Sequence, residues 1–427
     1  MRASTISFRT AICLAFGLGL VAVAGFAPFH LYPLPIAALA ALFYLWRGSE
    51  TPRQAAWLTF AFGLGLYGGG TYWIYISLHN FGGMPWWMAG FSTFALSAFL
   101  SLFPALVGWL AKRYCLASAS VLSIICIPVL WALSDWIRSW IFTGFPWLTL
   151  GYSQTPFSPL AGFTPIVGVY GISLITALAA SLIALWNDQH RRRTIVLGLA
   201  ALWIAGSLLK HVEWTELSGA PVSVALLQGN IAQDIKWQPE VARQTLDKYL
   251  SLAMSTEARL IVMPETALPL LIDQVPPAYL DRLKQHAIDN HGDILVGAVE
   301  MQNGEYYNSV LSFGSATKQT YRKSHLVPFG EFIPLKGVFG WIYRDWLHIP
   351  LADLSRGSIH QQPLQVAGQQ AAVNICYEDV FGEEIIRQLP QASLLVNVSN
   401  DAWYGDSLAA DQHLQISQMR ALETGRM

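Results

Sequence analysis

The sequence predicts a multi-span α-helical membrane domain followed by an α/β domain. Two observations support this. Charged residues make up only 12% of the 427 residues, about half the usual share for a soluble domain. Only 14 of the 53 charged residues precede residue 211, whereas after residue 220 short apolar runs alternate with amphipathic segments. We therefore assign residues 1–211 to the membrane domain and 220–427 to the α/β domain.

Seven apolar stretches in the first half are each close to the roughly 20 residues that a helix needs to cross a bilayer. Arg2 and Arg9 before the first stretch, with small residues near its end, imitate a signal peptide. The six apolar stretches that follow favour an uncleaved first span. The predicted spans lie near 9–28, 31–46, 55–78, 86–111, 117–140, 163–186 and 194–210.

Positive charges between the predicted spans set the topology, because Lys and Arg in short loops stay in the cytoplasm. Nine such residues fall on one side, in the stretches 2–9, 47–53, 112–113 and 191–193, and Arg138 alone falls on the other. With the N-terminus inside and seven crossings, the chain after about residue 211 emerges on the far side. In a bacterium that side is the periplasm, and the protein is then a multi-pass inner-membrane protein.

Composition also bounds the partners. A net charge of −1 without a basic stripe gives no support for nucleic-acid binding. The four cysteines show no metal-type spacing and do not indicate a disulfide framework, and no metal or organic cofactor is implied. Two non-cytoplasmic loops, 80–87 and 143–154, are rich in Gly, Pro and aromatic residues. They are either an interfacial aromatic belt or the floor of a site for an acyl chain.

Strands and helices alternate in the second half, which predicts strands that are covered on both faces. Predicted strands lie at 222–228, 259–263, 293–299, 306–313, 318–322, 371–375 and 393–398. Predicted helices lie at 239–255, 277–290, 382–389 and 408–423.

Three predicted strand ends carry residues suited to acyl transfer: Glu265, Lys323 and Cys376. A thiolate is the nucleophile, so Cys376 needs a proton acceptor, which Glu265 can provide. Lys323 would stabilise the oxyanion of a tetrahedral intermediate. Each residue alone also has a structural interpretation: a turn cap, a solvated lysine, a small buried side chain. Their joint occurrence at strand ends, in the order Glu, Lys, Cys, favours the catalytic one.

Two further carboxylates are supporting candidates. Glu331 would orient the Lys323 ammonium or pair with it structurally, and Glu378 would shape the entrance beside Cys376 or bind an amine. His325 is expected to be a structural hydrogen-bonding residue, because Glu265 already fills the role of base. The apolar segment 335–358 is either packed on the core or a lid that handles lipid; we expect the lid.

The Glu-Lys-Cys order resembles the triad of the nitrilase superfamily, and this resemblance implies an α-β-β-α sandwich. Joined to a membrane domain, the motifs around Glu265, the block 323–334 and Cys376-Tyr377-Glu378 resemble bacterial apolipoprotein N-acyltransferases. The resemblance extends to the segment 144–147, with Trp147, and to Gly229-Asn230 with Trp237, which it places around a lipid-binding cavity.

That resemblance implies a reaction in two halves. Cys376 takes an acyl chain from a membrane phospholipid, and the thioester passes it to the α-amine of a diacylated apolipoprotein. The family also has a further strand region and a last transmembrane helix after the block 421–426, so an eighth span is expected in the intact protein.

Two other functions compete with this one. A membrane-tethered nitrilase-type amidase would share the triad and release its acyl group to water. A transporter with an accessory domain is disfavoured, because the predicted spans contain few ionisable residues.

Overall fold

The computed structural model describes residues 6–116, 122–217, 219–335, 337 and 353–427. The chain forms two compact units. The helical unit contains Met1–Ile76, Trp86–Trp214 and Asp406–Gly425, and the α/β unit contains Ser77–Pro85, Thr215–Gly405 and Arg426–Met427. The domain boundary that the sequence predicts between residues 211 and 220 stays a prediction. In the structure, residues 406–425 belong to the compact helical unit.

Apolar helices make up the helical unit, and prolines at the start of several fix the φ angle that a first helical turn requires. They are α1 Phe8–Val23, α2 Pro33–Gly48, α3 Pro52–Gly70, α4 Trp86–Leu110, α5 Leu122–Arg138, α6 Thr164–Ala184 and α7 Arg192–Leu209. Among the described residues, three helical stretches are long and apolar enough to cross a membrane: Trp86–Cys115, Pro159–Ala184 and Gln189–Leu209. Helices α1 and α2 are apolar but shorter.

Small residues let α1 and α3 pack closely, as is common between membrane helices. A Cβ on Gly65 would lie 2.2 Å from the Phe16 carbonyl oxygen, and one on Gly19 would lie 2.0 Å from the Phe62 carbonyl oxygen. Larger side chains at either position would push the two helices apart.

A buried ion pair fixes the loop after α5. Arg138, 1% exposed, donates to Asp135 Oδ1 at 3.2 Å and to the Trp147 carbonyl oxygen at 2.8 Å. Asp135 Oδ2 accepts from the Leu150 N–H at 3.1 Å and from the Ser173 hydroxyl at 2.8 Å. The ion pair therefore holds the backbone of the loop 143–154, because each charged group bonds to atoms of this loop as well as to its partner.

Cys115 and Cys126 are joined by a disulfide in the structure. The sequence did not indicate one, since both cysteines lie in or beside apolar segments. Cys376 and Cys13 are not disulfide-bonded.

Two sheets form the α/β unit. Their strands are β1 Val224–Leu226, β2 Leu260–Val262, β3 Asp293–Gln302, β4 Glu305–Gly314, β5 Thr320–Arg322, β6 Leu364–Val366, β7 Gln369–Ile375 and β8 Leu394–Val398. Strands β1 to β3 are parallel, and β4 and β5 continue the first sheet in antiparallel pairs. In the second sheet β7 pairs with β6 antiparallel and with β8 parallel.

Helices α8 (Pro239–Met254) and α9 (Pro277–Asp289) contribute to the main core of this unit. Their apolar side chains, among them Leu250 and Leu283, join Ile261 and Val296 of the first sheet in one buried cluster. Two mixed sheets with helical cover agree with the predicted nitrilase-like α/β class.

The last helix of the described chain, α10 (Ala409–Thr424), belongs to the helical unit. Gln412 Oε1 accepts from the indole N–H groups of Trp147, at 2.7 Å, and Trp73, at 3.2 Å. Gln415 accepts from the Ala27 N–H at 3.0 Å and donates to the Thr155 carbonyl oxygen at 2.7 Å. Buried glutamines thus tie α10 to the segments that follow α1, α3 and α5. The predicted lid, 335–358, falls mostly outside the described residues.

Candidate active site

Glu265 follows β2 and is held by donors on both carboxylate oxygens. Its Oε1 accepts from Asn308 Nδ2 at 2.7 Å and from Lys323 Nζ at 3.5 Å. Its Oε2 accepts from the Asn400 backbone N–H at 3.0 Å. The Glu265 carboxylate therefore bonds to three segments that are distant in the chain, which an ordinary turn cap would not do. Its role as a proton acceptor stays a prediction.

Lys323 follows β5 and is 1% exposed. Its ammonium lies 2.9 Å from Glu331 Oε1 and 3.5 Å from Glu265 Oε1. Burial alone would lower the pKa of Lys323, but the Glu331 and Glu265 carboxylates, with Cys376, raise it well above its ordinary value. The lysine is therefore a cation at neutral pH.

Asn308, on β4, joins the two carboxylates. Its Nδ2 lies 2.7 Å from Glu265 Oε1 and 3.0 Å from Glu331 Oε1, and its backbone carbonyl accepts from the Lys323 N–H at 2.8 Å. Sequence reasoning missed this residue, because a lone Asn inside a strand pattern gives no signal of its contacts across the sheet.

Cys376 directly follows β7 and begins a short 3₁₀ helix, Cys376–Val380. The residue is 8% exposed and has a φ of 53°, in the left-handed region. A residue other than glycine in this conformation stores roughly 1–3 kcal/mol, and such strain clusters at functional sites. The thiol lies close enough to Lys323 to affect its pKa, so Glu265, Lys323 and Cys376 share one region of the α/β unit.

Glu378 lies two residues beyond Cys376 and is 2% exposed. Its Oε1 accepts from the Ser324 N–H at 2.7 Å and the His325 N–H at 3.0 Å, and its Oε2 accepts from the Ile375 N–H at 2.8 Å. Desolvation raises the pKa of Glu378, against the effect of these backbone donors. Both oxygens are engaged within the fold. This favours a supporting role, in which Glu378 ties the segment after Lys323 to the strand end that carries Cys376.

The aromatic candidates have packing roles that the sequence did not specify. Tyr377 contacts Phe381 edge-on, with ring centroids 5.2 Å apart, and Phe381 stacks on His325 at 3.7 Å. Trp147 is 3% exposed in the helical unit, where its indole N–H donates to Gln412. Trp237 is half-buried in the α/β unit, and its indole N–H has no partner among the described residues.

The segment after β8 supplies two more residues that sequence reasoning missed. The backbone of Asn400 bonds to Glu265, as given above, and Tyr404 lies near Cys376. Desolvation, together with Cys376 and Asp401, raises the pKa of Tyr404 well above its ordinary value, so its hydroxyl stays protonated. The available signal was the predicted strand 393–398, because polar residues just after a buried strand are placed at a sheet edge.

Two family models match the chain: the apolipoprotein N-acyltransferase N-terminal domain over residues 18–182, and carbon-nitrogen hydrolase over residues 223–426. Apolipoprotein N-acyltransferase of Nitrosomonas europaea is 56% identical over 415 residues, covering 96% of this chain and 83% of the relative. The chain belongs to the apolipoprotein N-acyltransferase family. The enzyme of that name from Chromobacterium violaceum is 42% identical, covering 97% of this chain and 80% of its own length.

A solved carbon-nitrogen hydrolase from Helicobacter pylori is similar at 16% identity and a TM-score of 0.32, over 48% of this chain and 68% of that one. Membership of the apolipoprotein N-acyltransferase family agrees with an acyltransferase that has a nitrilase-like domain and a membrane context. The roles of the individual site residues stay predictions. So does the expectation that no metal or organic cofactor takes part.

Proposed function

We propose that the protein N-acylates apolipoproteins, with Glu265, Lys323 and Cys376 as the catalytic triad and a phospholipid as acyl donor. Family membership supports the acyl-transfer reaction. The observation that carries the residue assignment is the buried Lys323 ammonium, which lies between Glu265 and Glu331 and beside the strained Cys376.

The first half of the reaction forms a thioester. Glu265 takes the thiol proton while the Cys376 sulfur attacks the ester carbonyl of the phospholipid, and Lys323 stabilises the resulting oxyanion. When the tetrahedral intermediate collapses, the C–O bond to the glycerol breaks and the alkoxide takes the proton back from Glu265. A lysophospholipid leaves, and the acyl group stays on sulfur.

The second half transfers the acyl group to nitrogen. The α-amine of the lipid-modified N-terminal cysteine attacks the thioester and loses a proton to Glu265. The C–S bond then breaks, and the departing thiolate takes that proton, which restores the free thiol. The product is the amide of the apolipoprotein. In this proposal the phospholipid and the lipid-modified apolipoprotein lie in the same membrane.

Mass spectrometry of the purified protein incubated with phospholipid tests the assignment. We expect a mass increase of one acyl chain on Cys376, loss of this mass on addition of a diacylated lipopeptide, and no adduct on Cys376→Ser. Unmodified protein with intact turnover would falsify the proposal.

The match to the carbon-nitrogen hydrolase model is the observation that favours the amidase alternative. The same incubation separates the two functions. An amidase would pass the acyl group to water and release free fatty acid at an unchanged rate without the lipopeptide, whereas the acyltransferase keeps its thioester until an amine acceptor is added.

We place the α/β unit in the periplasm and the helical unit in the inner membrane. Basic side chains support this topology by meeting at one end of the helical unit: Arg47 donates to the Ala184 carbonyl oxygen at 3.1 Å, and Lys112 donates to that of Trp46 at 3.1 Å. Single cysteines introduced near Ala220 should react with membrane-impermeant reagents added to intact spheroplasts. Labelling that occurs only after lysis contradicts this orientation.

A further inference from the structure

A buried lysine outside the proposed triad reaches the turn that carries Glu265. Lys236 is 5% exposed, and its ammonium donates to the Thr266 hydroxyl at 2.7 Å. Thr266 directly follows Glu265 and has a φ of 45°, in the left-handed region. Burial of a charged group costs free energy unless the group is paired and hydrogen-bonded. Packing alone therefore does not explain why Lys236 is buried.

The same loop reaches Glu265 by a second route. Gln233, 6% exposed, accepts from Asn400 Nδ2 at 2.9 Å. The Asn400 backbone N–H in turn donates to Glu265 Oε2 at 3.0 Å. The loop that carries Gln233 and Lys236 therefore reaches Glu265 in two ways. Lys236 bonds to Thr266, the next residue in the chain, and Gln233 bonds to Asn400, which donates to Glu265 Oε2.

The charge balance at the site gives the lysine a role. Lys323 is shared by two carboxylates and lies closer to Glu331, at 2.9 Å, than to Glu265, at 3.5 Å. Burial lowers the pKa of Lys236 to about 8, and the Glu265 carboxylate opposes this fall. At neutral pH Lys236 is therefore mostly an ammonium within electrostatic range of Glu265. The other titratable groups around Glu265 are Lys323, Glu331, Cys376 and Tyr404.

We propose that Lys236 is a positioning residue for Glu265: its ammonium fixes the Thr266 turn and supplies the second positive charge that keeps the Glu265 carboxylate anionic. The proposal rests on the proposed function, since it serves the step in which the S–H bond of Cys376 breaks and an O–H bond forms on Glu265. Lys236 keeps its own protons in that step.

The test is the pH dependence of the first half-reaction alone, measured as the rate of acyl-adduct formation on Cys376 with phosphatidylethanolamine vesicles between pH 5 and pH 9. In Lys236→Met we expect the acid limb of the rate profile to move upward by about one pH unit, which is a tenfold slower reaction on that limb. Above that limb the Lys236→Met profile should level off at a lowered plateau, because the variant also loses the bond between Lys236 and the Thr266 hydroxyl.

Two conservative variants separate charge from anchoring. Lys236→Arg keeps the charge and should leave the acid limb in place even if the plateau rate falls. Thr266→Val removes the acceptor but keeps the lysine, so it should lower the plateau with little movement of the limb. Lys284→Met, which removes an exposed lysine of α9, is the matched control and should leave both limb and plateau unchanged.

A rate that falls by one factor at every pH in Lys236→Met would overturn the proposal, because it would leave the lysine with a packing role only. Equal limb shifts in the Met and Arg variants would do the same. If Lys236→Met does not fold, Lys236→Gln replaces it, because the amide keeps a donor for Thr266 without the charge. The same upward shift of the limb is expected, and an unmoved limb overturns the proposal. A Cys376 adduct that is absent from the unaltered protein at every pH contradicts the proposed function, whereas a normal adduct with unshifted variants contradicts only the role of Lys236.

Discussion

Each unit contains a fully buried cation beside a carboxylate, and the two clusters are built differently. In the helical unit Arg138 pairs with Asp135, and each of them also bonds to backbone or hydroxyl groups. In the α/β unit one ammonium, that of Lys323, serves two carboxylates, and a thiol lies beside it.

The difference separates a structural ion pair from a reactive site. The Arg138 cluster pairs one cation with one anion and bonds both to the loop, so its disruption should cost stability. The Lys323 cluster has two carboxylates for one ammonium. Near it lie Cys376, whose backbone is strained, and Lys236, whose pKa is lowered. Its disruption should cost rate before it costs stability. The predictions below test this contrast.

Removal of the shared ammonium should give the largest effect. In Lys323→Met the oxyanion loses its charged partner, and we expect the rate of adduct formation on Cys376 to fall by about a thousandfold or more. Intact-protein mass spectrometry measures the rate. Lys318→Met, at an exposed lysine just before β5, is the control. A Lys323→Met variant with more than about a tenth of the activity would show that this cluster is structural as well.

Removal of the buried guanidinium should act on stability. Arg138→Met leaves Asp135 without its charged partner, and we expect the free energy of unfolding to fall by about 3–5 kcal/mol. Thermal unfolding in detergent measures this, with exposed Arg53→Met as the control. The adduct rate per folded molecule should stay close to that of the unaltered protein. If both arginine variants melt alike, the cluster does not hold the loop.

The lysine of lowered pKa should make stability depend on alkaline pH. Between about pH 8 and pH 10.5 the unfolded chain binds the Lys236 proton and the folded chain does not, so the free energy of unfolding rises with pH. Relative to Lys236→Met, the gain over this window should be at most about 3 kcal/mol. Denaturant titrations at several pH values measure the gain. Parallel curves for the two proteins would contradict it.

The smallest effect is expected where both partners are neutral. Gln412→Leu leaves the indole N–H groups of Trp147 and Trp73 without their acceptor, at a cost of about 1–3 kcal/mol. Thermal unfolding compares this variant with Gln189→Leu, at an exposed position of the helical unit. A loss as large as that of Arg138→Met would remove the distinction between neutral and charged anchors.

Periodicity and strand-end chemistry predicted much of the α/β unit. The predicted strands at 293–299 and 371–375 overlap β3 and β7, and the predicted helix at 239–255 matches α8 to within one residue. Apolar runs in the strands and the amphipathic period of the helix determine such elements locally. The short edge strand β6 was missed, because three residues carry too little pattern.

Contacts between distant residues could not be predicted in the same way. Asn308 bonds to Glu265 across 43 residues of sequence, and Lys236 bonds to Thr266 across 30. The positive φ of Cys376 was likewise not predicted from the sequence. Such features depend on how strands and loops pack, which no local pattern specifies.

The placement of α10 has a practical consequence for dividing the molecule. The carbon-nitrogen hydrolase model extends to residue 426, yet Gln412 and Gln415 bond to residues of the first 155. A fragment that begins at residue 215 would carry these glutamines away from their partners. We therefore expect that division of the chain at one position does not yield two stable fragments. Two co-expressed fragments should reassemble, because α10 packs with the helices of the first fragment.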